Sequence, residues 1–417
     1  MSDPLSLPIG AATPDAPAEG LGRRKFIAGA GAAAGAAVIA STLPAGAARA
    51  AQPAGASRFV PLAKAIRVAD TRKPAKYDYT TPGTNRIRVA LNGNYGVSKS
   101  ASAAVLTVTA VNGNQGNFVT VFPTSGEIPF VSNLNLINAG EVNANLVTVK
   151  IGSGGSVDVY SFQSCDMIVD VLGYYEPVDG ATREGRFIGL ANAIRAIDTR
   201  EEPGKFSGGF AASGSYTMVD LPSAVPADAS SVVINLTATE TVGPSFFTAL
   251  PADASENAIP LTSSLNVSRP NDTRAAGVIV PVVTVGGKRR IKIYTLIAAK
   301  IIVDVVGYYT SASSPLSSVG LFVPVDPVRL VDTREPGAPV GKLWPNWVVE
   351  VGIPAAISAD ASAVVANVTG VESRAPGFLT VTAARQPITF TSNLNFTAPG
   401  EVVPNHVITP VTGNLGL

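Results

Sequence analysis

The chain of 417 residues has one cysteine and one histidine, and only 15% of its residues are charged. A single cysteine excludes an internal disulfide and any metal centre built on several thiolates. A single histidine excludes mechanisms that need two imidazoles. With 31 basic against 30 acidic side chains, the basic footprint of a nucleic-acid binder is missing. So low a charge content also excludes a coiled coil and a highly charged disordered chain. What remains is a chain that is 46% hydrophobic, with 40 Gly and 32 Pro, long enough for two to four domains.

Residues 1–50 read as an address. Arg23-Arg24-Lys25 precedes a Gly/Ala-rich apolar run from Phe26 to about Ala40, and an Ala-x-Ala site follows at Ala48-Arg49-Ala50. Basic region, weakly apolar core and small-residue cleavage site make a secretory signal. The paired arginines look like a twin-arginine signal. The competing reading, a membrane anchor, needs roughly 20 apolar residues, and the run is shorter at about 15. The expected product is secreted or held at the cell surface, with no stable membrane span after signal cleavage. With no cysteine near the cleavage site, no lipid anchor is expected. Lacking cross-links, it must draw its stability from packing.

Three landmarks recur in one order. Arg67-Val68-Ala69-Asp70-Thr71-Arg72 returns as Arg195-Ala196-Ile197-Asp198-Thr199-Arg200 and as Arg329-Leu330-Val331-Asp332-Thr333-Arg334. Ser132-Asn133-Leu134-Asn135-Leu136 returns as Ser392-Asn393-Leu394-Asn395-Phe396, with a degraded middle copy, Ser263-Ser264-Leu265-Asn266-Val267. Ile168-Val169-Asp170-Val171-Leu172-Gly173-Tyr174-Tyr175 returns as Ile302-Val303-Asp304-Val305-Val306-Gly307-Tyr308-Tyr309. Landmarks kept in order at near-constant spacing mark duplication. The expected modules are 56–176, 186–309 and 319–417, separated by linkers rich in Gly, Ser and Pro. The third copy has no segment matching Gly155 to Tyr175. Two readings stay open: a C-terminally truncated module, or one completed by strands from another chain.

Within a module, short runs rich in Val, Thr, Ile and Phe alternate with Gly, Asn and Pro clusters. About eight such runs in about 120 residues predict an all-β fold of tandem jelly-roll-like β-sandwich modules, each closed by its own hydrophobic interior. The pattern resembles a family of tandem repeats in secreted bacterial, largely actinobacterial, surface proteins. Their modules run from a basic-x-x-Asp-Thr-Arg start, through a Ser-Asn-Leu-Asn-aromatic centre, to a Val-Asp-Val-x-Gly-Tyr-Tyr end. The resemblance covers nearly all of 58–417 and implies an extracellular, glycan-associated role with no defined chemistry.

The recurring polar residues have structural and binding readings. An arginine fork suits a carboxylate, and a buried carboxylate without a partner costs several kcal/mol. Arg72 is therefore expected to pair with Asp170, and Arg200 with Asp304, leaving Arg334 without a partner in its module. Asn is disfavoured in strands. Asn133, Asn135, Asn393 and Asn395 therefore either tie down loops or form an amide row for sugar hydroxyls. Aromatics follow each Asp-Thr-Arg: Tyr77 and Tyr79, Phe206 and Phe210, Trp344 and Trp347. Ring faces with polar edges can stack on pyranoses, and Trp344 and Trp347 are the leading candidates.

No His-Glu-x-x-His, Gly-x-Ser-x-Gly or phosphate loop occurs. Cys165 reads as an incidental thiol and His406 as a lone polar position. No cofactor or metal is expected. The leading expectation is a secreted, non-enzymatic, cell-envelope-associated repeat protein that binds cell-wall or extracellular polysaccharide. The alternatives are a structural or adhesive protein that self-associates through strand edges of module three, and an extracellular glycan-active enzyme.

Overall fold

The computed structural model describes residues 54–411 except 130, 203, 337, 339, 340, 355, 356, 358, 359, 389 and 390. The leader read at 1–50 lies outside the described residues. The first repeat runs through β1 (Ser57–Asp70), β2 (Thr80–Gly83), β3 (Arg86–Ala90), β4 (Ala103–Val111), β5 (Asn117–Pro123), β6 (Leu134–Leu136), β7 (Asn143–Lys150), β8 (Ser156–Ser161) and β9 (Asp166–Pro177). One sheet has the order β1-β9-β4-β7, the other β2-β3-β8-β5-β6.

The second repeat follows the same plan. Its strands are β10 (Phe187–Asp198), β11 (Ser215–Asp220), β12 (Ala229–Thr239), β13 (Ser245–Pro251), β14 (Leu265–Val267), β15 (Arg274–Pro281), β16 (Val283–Val285), β17 (Lys288–Thr295) and β18 (Lys300–Thr310). They form the sheets β10-β18-β12-β15 and β11-β17-β13-β14, with β16 on β17. This is the strand order of a jelly roll, so the expected all-β sandwich class holds. Each helical element among the described residues is a three-residue 3-10 turn.

The sequence of β4, Ala-Ala-Val-Leu-Thr-Val-Thr-Ala-Val, shows little alternation of polarity because all nine positions are buried. Ala104, Leu106, Val108 and Ala110 face the module's own core, together with Leu134, Val159 and Val169. Ala103 and Val105 face the other way, into a second interior shared between repeats. There Phe59, Leu146 and Tyr175 of the first repeat meet Val233, Ile279 and Tyr309 of the second and Ile408 of the third. A sheet covered on both faces has no solvated side to carry polar residues.

The modules are thus not units each closed only by its own interior. The first two have private cores, and all three repeats contribute to a common one. The contacts run round in a cycle. Phe59 N donates to Gly185 O at 2.8 Å, Phe187 N to Gly320 O at 2.7 Å, and Phe322 N to Ser57 O at 2.8 Å. The same phenylalanine of each repeat hydrogen-bonds the same position of another.

In the third repeat the strands among the described residues are β19 (Ala363–Gly370), β20 (Gly377–Leu379), β21 (Leu394–Phe396) and β22 (Val403–Pro410), in the sheets β19-β22 and β20-β21. They stand where β4, β5, β6 and β7 stand in the first repeat. Segments 320–332 and 347–352 match β1 and β3 in sequence but are not strands. The reason is pairing: β1 pairs with β9, and β3 with β8 and β2. No described strand of the third repeat stands in for β8 or β9, so these segments have no ladder to join.

Candidate functional site

The Asp-Thr-Arg element follows the first strand of the first and second repeats and the unpaired counterpart segment of the third, and its charges are arranged differently from the sequence expectation. Arg67 lies directly across from Asp170 in the β1–β9 register. It donates Nε to Oδ1 at 2.8 Å and Nη2 to Oδ2 at 3.1 Å. Arg195 does the same to Asp304, with Nε at 2.6 Å from Oδ1. Arg72 instead folds back on Asp70, both contacts at 2.8 Å, and Arg200 on Asp198. The expected pairs Arg72–Asp170 and Arg200–Asp304 are therefore corrected to Arg67–Asp170 and Arg195–Asp304. The first arginine of the motif, not the last, sits opposite the closing strand. Arg334 likewise has a partner within its repeat, Asp332, at 2.7 Å.

Electrostatics follow burial. Asp170 is fully buried, and desolvation lifts its carboxyl above the ordinary value against the pull of Arg67. Burial also outweighs Arg195 at Asp304. The Asp70 carboxyl is held below its usual range by the hydrogen bonds of Arg72, despite partial desolvation. At Asp332 the bonds from Arg334 dominate and lower the carboxyl.

The amides are structural ties. Asn133 Oδ1 accepts from Val121 N at 2.8 Å, and Asn393 Oδ1 from Val381 N at 2.7 Å. Ser264 Oγ accepts from Ala249 N at 3.1 Å in the degraded copy. Asn135 Oδ1 accepts from Ser132 Oγ at 3.0 Å. Asn393 and Asn395 are buried. Asn133, Asn135 and Asn393 thus bind strand edges and loops, which favours the loop-tying reading, while the buried Asn395 Nδ2 has no hydrogen-bond partner among the described residues.

A second set of amides, not singled out from the sequence, clamps the repeats together. Asn405 Oδ1 accepts from Gly277 N at 2.8 Å, and its Nδ2 donates to Asn393 O at 2.7 Å and Asn235 Oδ1 at 3.3 Å. Asn145 makes the matching contacts. Its Oδ1 accepts from His406 N at 3.1 Å, and its Nδ2 donates to Asn133 O at 2.8 Å and Asn367 Oδ1 at 3.0 Å. The signal was available: Asn145 and Asn405 stand at the same offset from the Ser-Asn-Leu-Asn landmark. Three acidic positions, one per repeat, also converge on Arg274. Glu401 is 3.2 Å away, Asp272 3.6 Å and Glu141 3.9 Å. Burial opposes ionisation of Glu401, but Arg274 and the Thr397 amide prevail and hold it at about 2.

His406 is buried and lies 3.0 Å from Thr148 Oγ1 across the repeat boundary, and desolvation lowers its imidazole to about 4. Cys165 lies 3.0 Å from Ser161 Oγ, and burial raises its thiol. Among the described residues no cluster of His, Cys, Asp and Glu is placed to hold a metal ion, and no helix is long and apolar enough to cross a membrane.

Of the aromatics, Tyr79 packs against the first core and Phe206 against the second. Lys76 Nζ stands 5.6 Å from the Tyr77 ring centroid. Trp344 and Trp347 are 54% and 56% exposed, with Arg374 5.3 Å from the Trp344 ring centroid. Both line a groove of about 2470 Å³ formed mostly by the third repeat. Its floor includes Val364, Ala366 and Val368 of β19, and it reaches the rings of Tyr175 and Tyr309. The counterparts of those β19 residues in β4 are fully buried, whereas β19 is half-buried or exposed over most of its length.

No family model and no curated protein matches the chain. Among solved structures, the N-terminal CBM22-1-CBM22-2 tandem domain from Paenibacillus barcinonensis Xyn10C is similar at 10% identity, with 61% of this chain and 98% of that chain covered and a TM-score of 0.15. That score is at the level of unrelated folds.

Proposed function

We propose that the chain is an exported, non-enzymatic structural protein that joins other chains at the cell surface through the open third repeat. The carrying observation is the edge of β19. Among the described residues β19 pairs only with β22, while its counterparts β4 and β12 are paired on both sides. An unpaired strand edge beside an apolar groove is a template for another chain. Light scattering of residues 51–417 tests this. Mass should rise with concentration and fall to the monomer in Ala366→Lys, which puts a charge on the groove floor. A monomer at every concentration would overturn the reading.

A second reading, polysaccharide binding, is favoured by the exposed indoles of Trp344 and Trp347 in the same groove. Retention on insoluble cell-wall polysaccharide that is lost in Trp344→Ala/Trp347→Ala supports it; equal retention of both proteins removes it.

A further inference from the structure

We infer that the third repeat is a receptor for a β-hairpin with the closing sequence of the repeat itself. Its second strand reads Val-Asp-Val-x-Gly-Tyr-Tyr. The inference rests on the reading that β19 is the site of chain joining, and it names the occupant.

Two gaps define the shape of that occupant. In the first repeat β9 lies between β1 and β4, and β8 between β3 and β5. In the second, β18 and β17 fill the same places. These pairs are consecutive in sequence but lie in opposite sheets, so the hairpin is an open one, its two strands not bonded to each other, and it closes both sheets at once. The third repeat has β19 and β20 on the near side of the two gaps, and the β1-like and β3-like segments 320–332 and 347–352 on the far side. Adding the hairpin would give all four their missing ladder, and main-chain bonds of that kind supply affinity in strand addition.

Side chains fix the sequence of the second strand. Phe59 lies tilted against Tyr175 at 5.4 Å, and Phe187 against Tyr309 at 5.6 Å, between ring centroids. The two tyrosine hydroxyls are 2.7 Å apart. Phe322 is the third phenylalanine of that ring, and the groove leads to it and to both tyrosines. A tyrosine at the end of the incoming strand therefore reaches an aromatic site already built from Phe322, Tyr175 and Tyr309.

The glycine before the tyrosines is equally constrained. A Cβ at Gly173 would lie 2.7 Å from the Phe59 ring, and one at Gly307 2.5 Å from the Phe187 ring. Phe322 demands the same of its own partner strand. Register agrees as well. Gly173 pairs with Val105 and Gly307 with Val233, each beside a bulge, and Val365 is the matching residue of β19. The acidic residue of the incoming strand would lie across from Arg329, as Asp170 lies across from Arg67 and Asp304 from Arg195.

The test uses the full chain and a synthetic peptide of residues 286–310, which is its own β17–β18 hairpin. The chain has two tryptophans, 344 and 347, both in the groove, and the peptide has none. Binding should shift tryptophan emission to the blue and saturate at one peptide per chain. It should slow amide exchange across 322–332 and 363–370 by at least tenfold. A peptide with Gly307→Val should bind at least tenfold more weakly. Absence of protection, or equal binding of the two peptides, would overturn the inference. If chains still associate and Ala366→Lys blocks that association, strand-edge joining stands and only the hairpin falls. If neither copies nor peptide protect β19, both fall.

Discussion

Replacing Asn405 by alanine tests whether the repeats form one cooperative body. Asn405 is fully buried, holds the third repeat to the second through two hydrogen bonds, to Gly277 and Asn235, and makes a third to Asn393 of its own repeat. Alanine leaves the Gly277 N–H and the Asn393 carbonyl without that partner in a dry interface. Each orphaned group costs about 1–3 kcal/mol. The smaller loss at the 3.3 Å contact to Asn235 brings the sum to about 3–7 kcal/mol. The assay is denaturant unfolding followed by both far-ultraviolet circular dichroism and tryptophan emission. The tryptophans report the third repeat, while circular dichroism is dominated by the first two. With a shared interior, both signals should move together to lower denaturant by that free energy. A shift in tryptophan emission alone, with the dichroism transition unmoved, would refute the argument that the common core couples the repeats.

Two further outcomes follow from the charges. Arg67→Met leaves the fully buried Asp170 carboxylate without its bidentate partner and should cost about 3–5 kcal/mol. Arg72→Ala leaves the buried Asp70 carboxylate with the 3.8 Å contact to Arg67 as its remaining ion pair and, at the better-exposed end of the motif, should cost less, about 1–3 kcal/mol. Equal losses would restore the original Arg72–Asp170 assignment. His406 is lowered from 6.5 to about 4 in the folded chain, so the unfolded chain binds its proton more readily. Stability is complete above about pH 6.5 and falls as pH drops toward 4, by about 3 kcal/mol in total. His406→Leu, the residue type found at the matching position 146, should flatten that part of a pH titration of unfolding. Glu401, held at about 2, loses its contribution lower, as pH falls from about 4.5 toward 2. A His406→Leu profile identical to the parent between pH 6.5 and 4.5 would exclude the imidazole.

Much of the fold was legible because its signals are local. Turn clusters such as Asn112-Gly113-Asn114 and runs such as Val105 to Val111 mark strands and their ends. Eight runs per repeat point to a jelly roll, since that architecture closes two sheets with that number of strands. Leu134 and Leu136 facing inward, with the asparagines turned away, followed from the period of two. The ion pairs were only half legible. A carboxylate amid apolar neighbours at Asp170 requires an arginine. The choice between Arg67 and Arg72, however, depends on a strand register shifted by a bulge between Pro61 and Ile66. Neither composition nor spacing reveals such a shift.

The sequence by itself determined the repeat, its strands and its polar landmarks, because each is written in residues near one another along the chain. Only the tertiary structure decided that Tyr175, Tyr309 and Phe322 meet in one interior, that Asn145 and Asn405 clamp neighbouring repeats, and that the groove of the third repeat opens onto that interior. Those facts depend on how the outer faces of three sheets pack. An apolar residue facing its own core and one facing a neighbouring module look the same in a sequence.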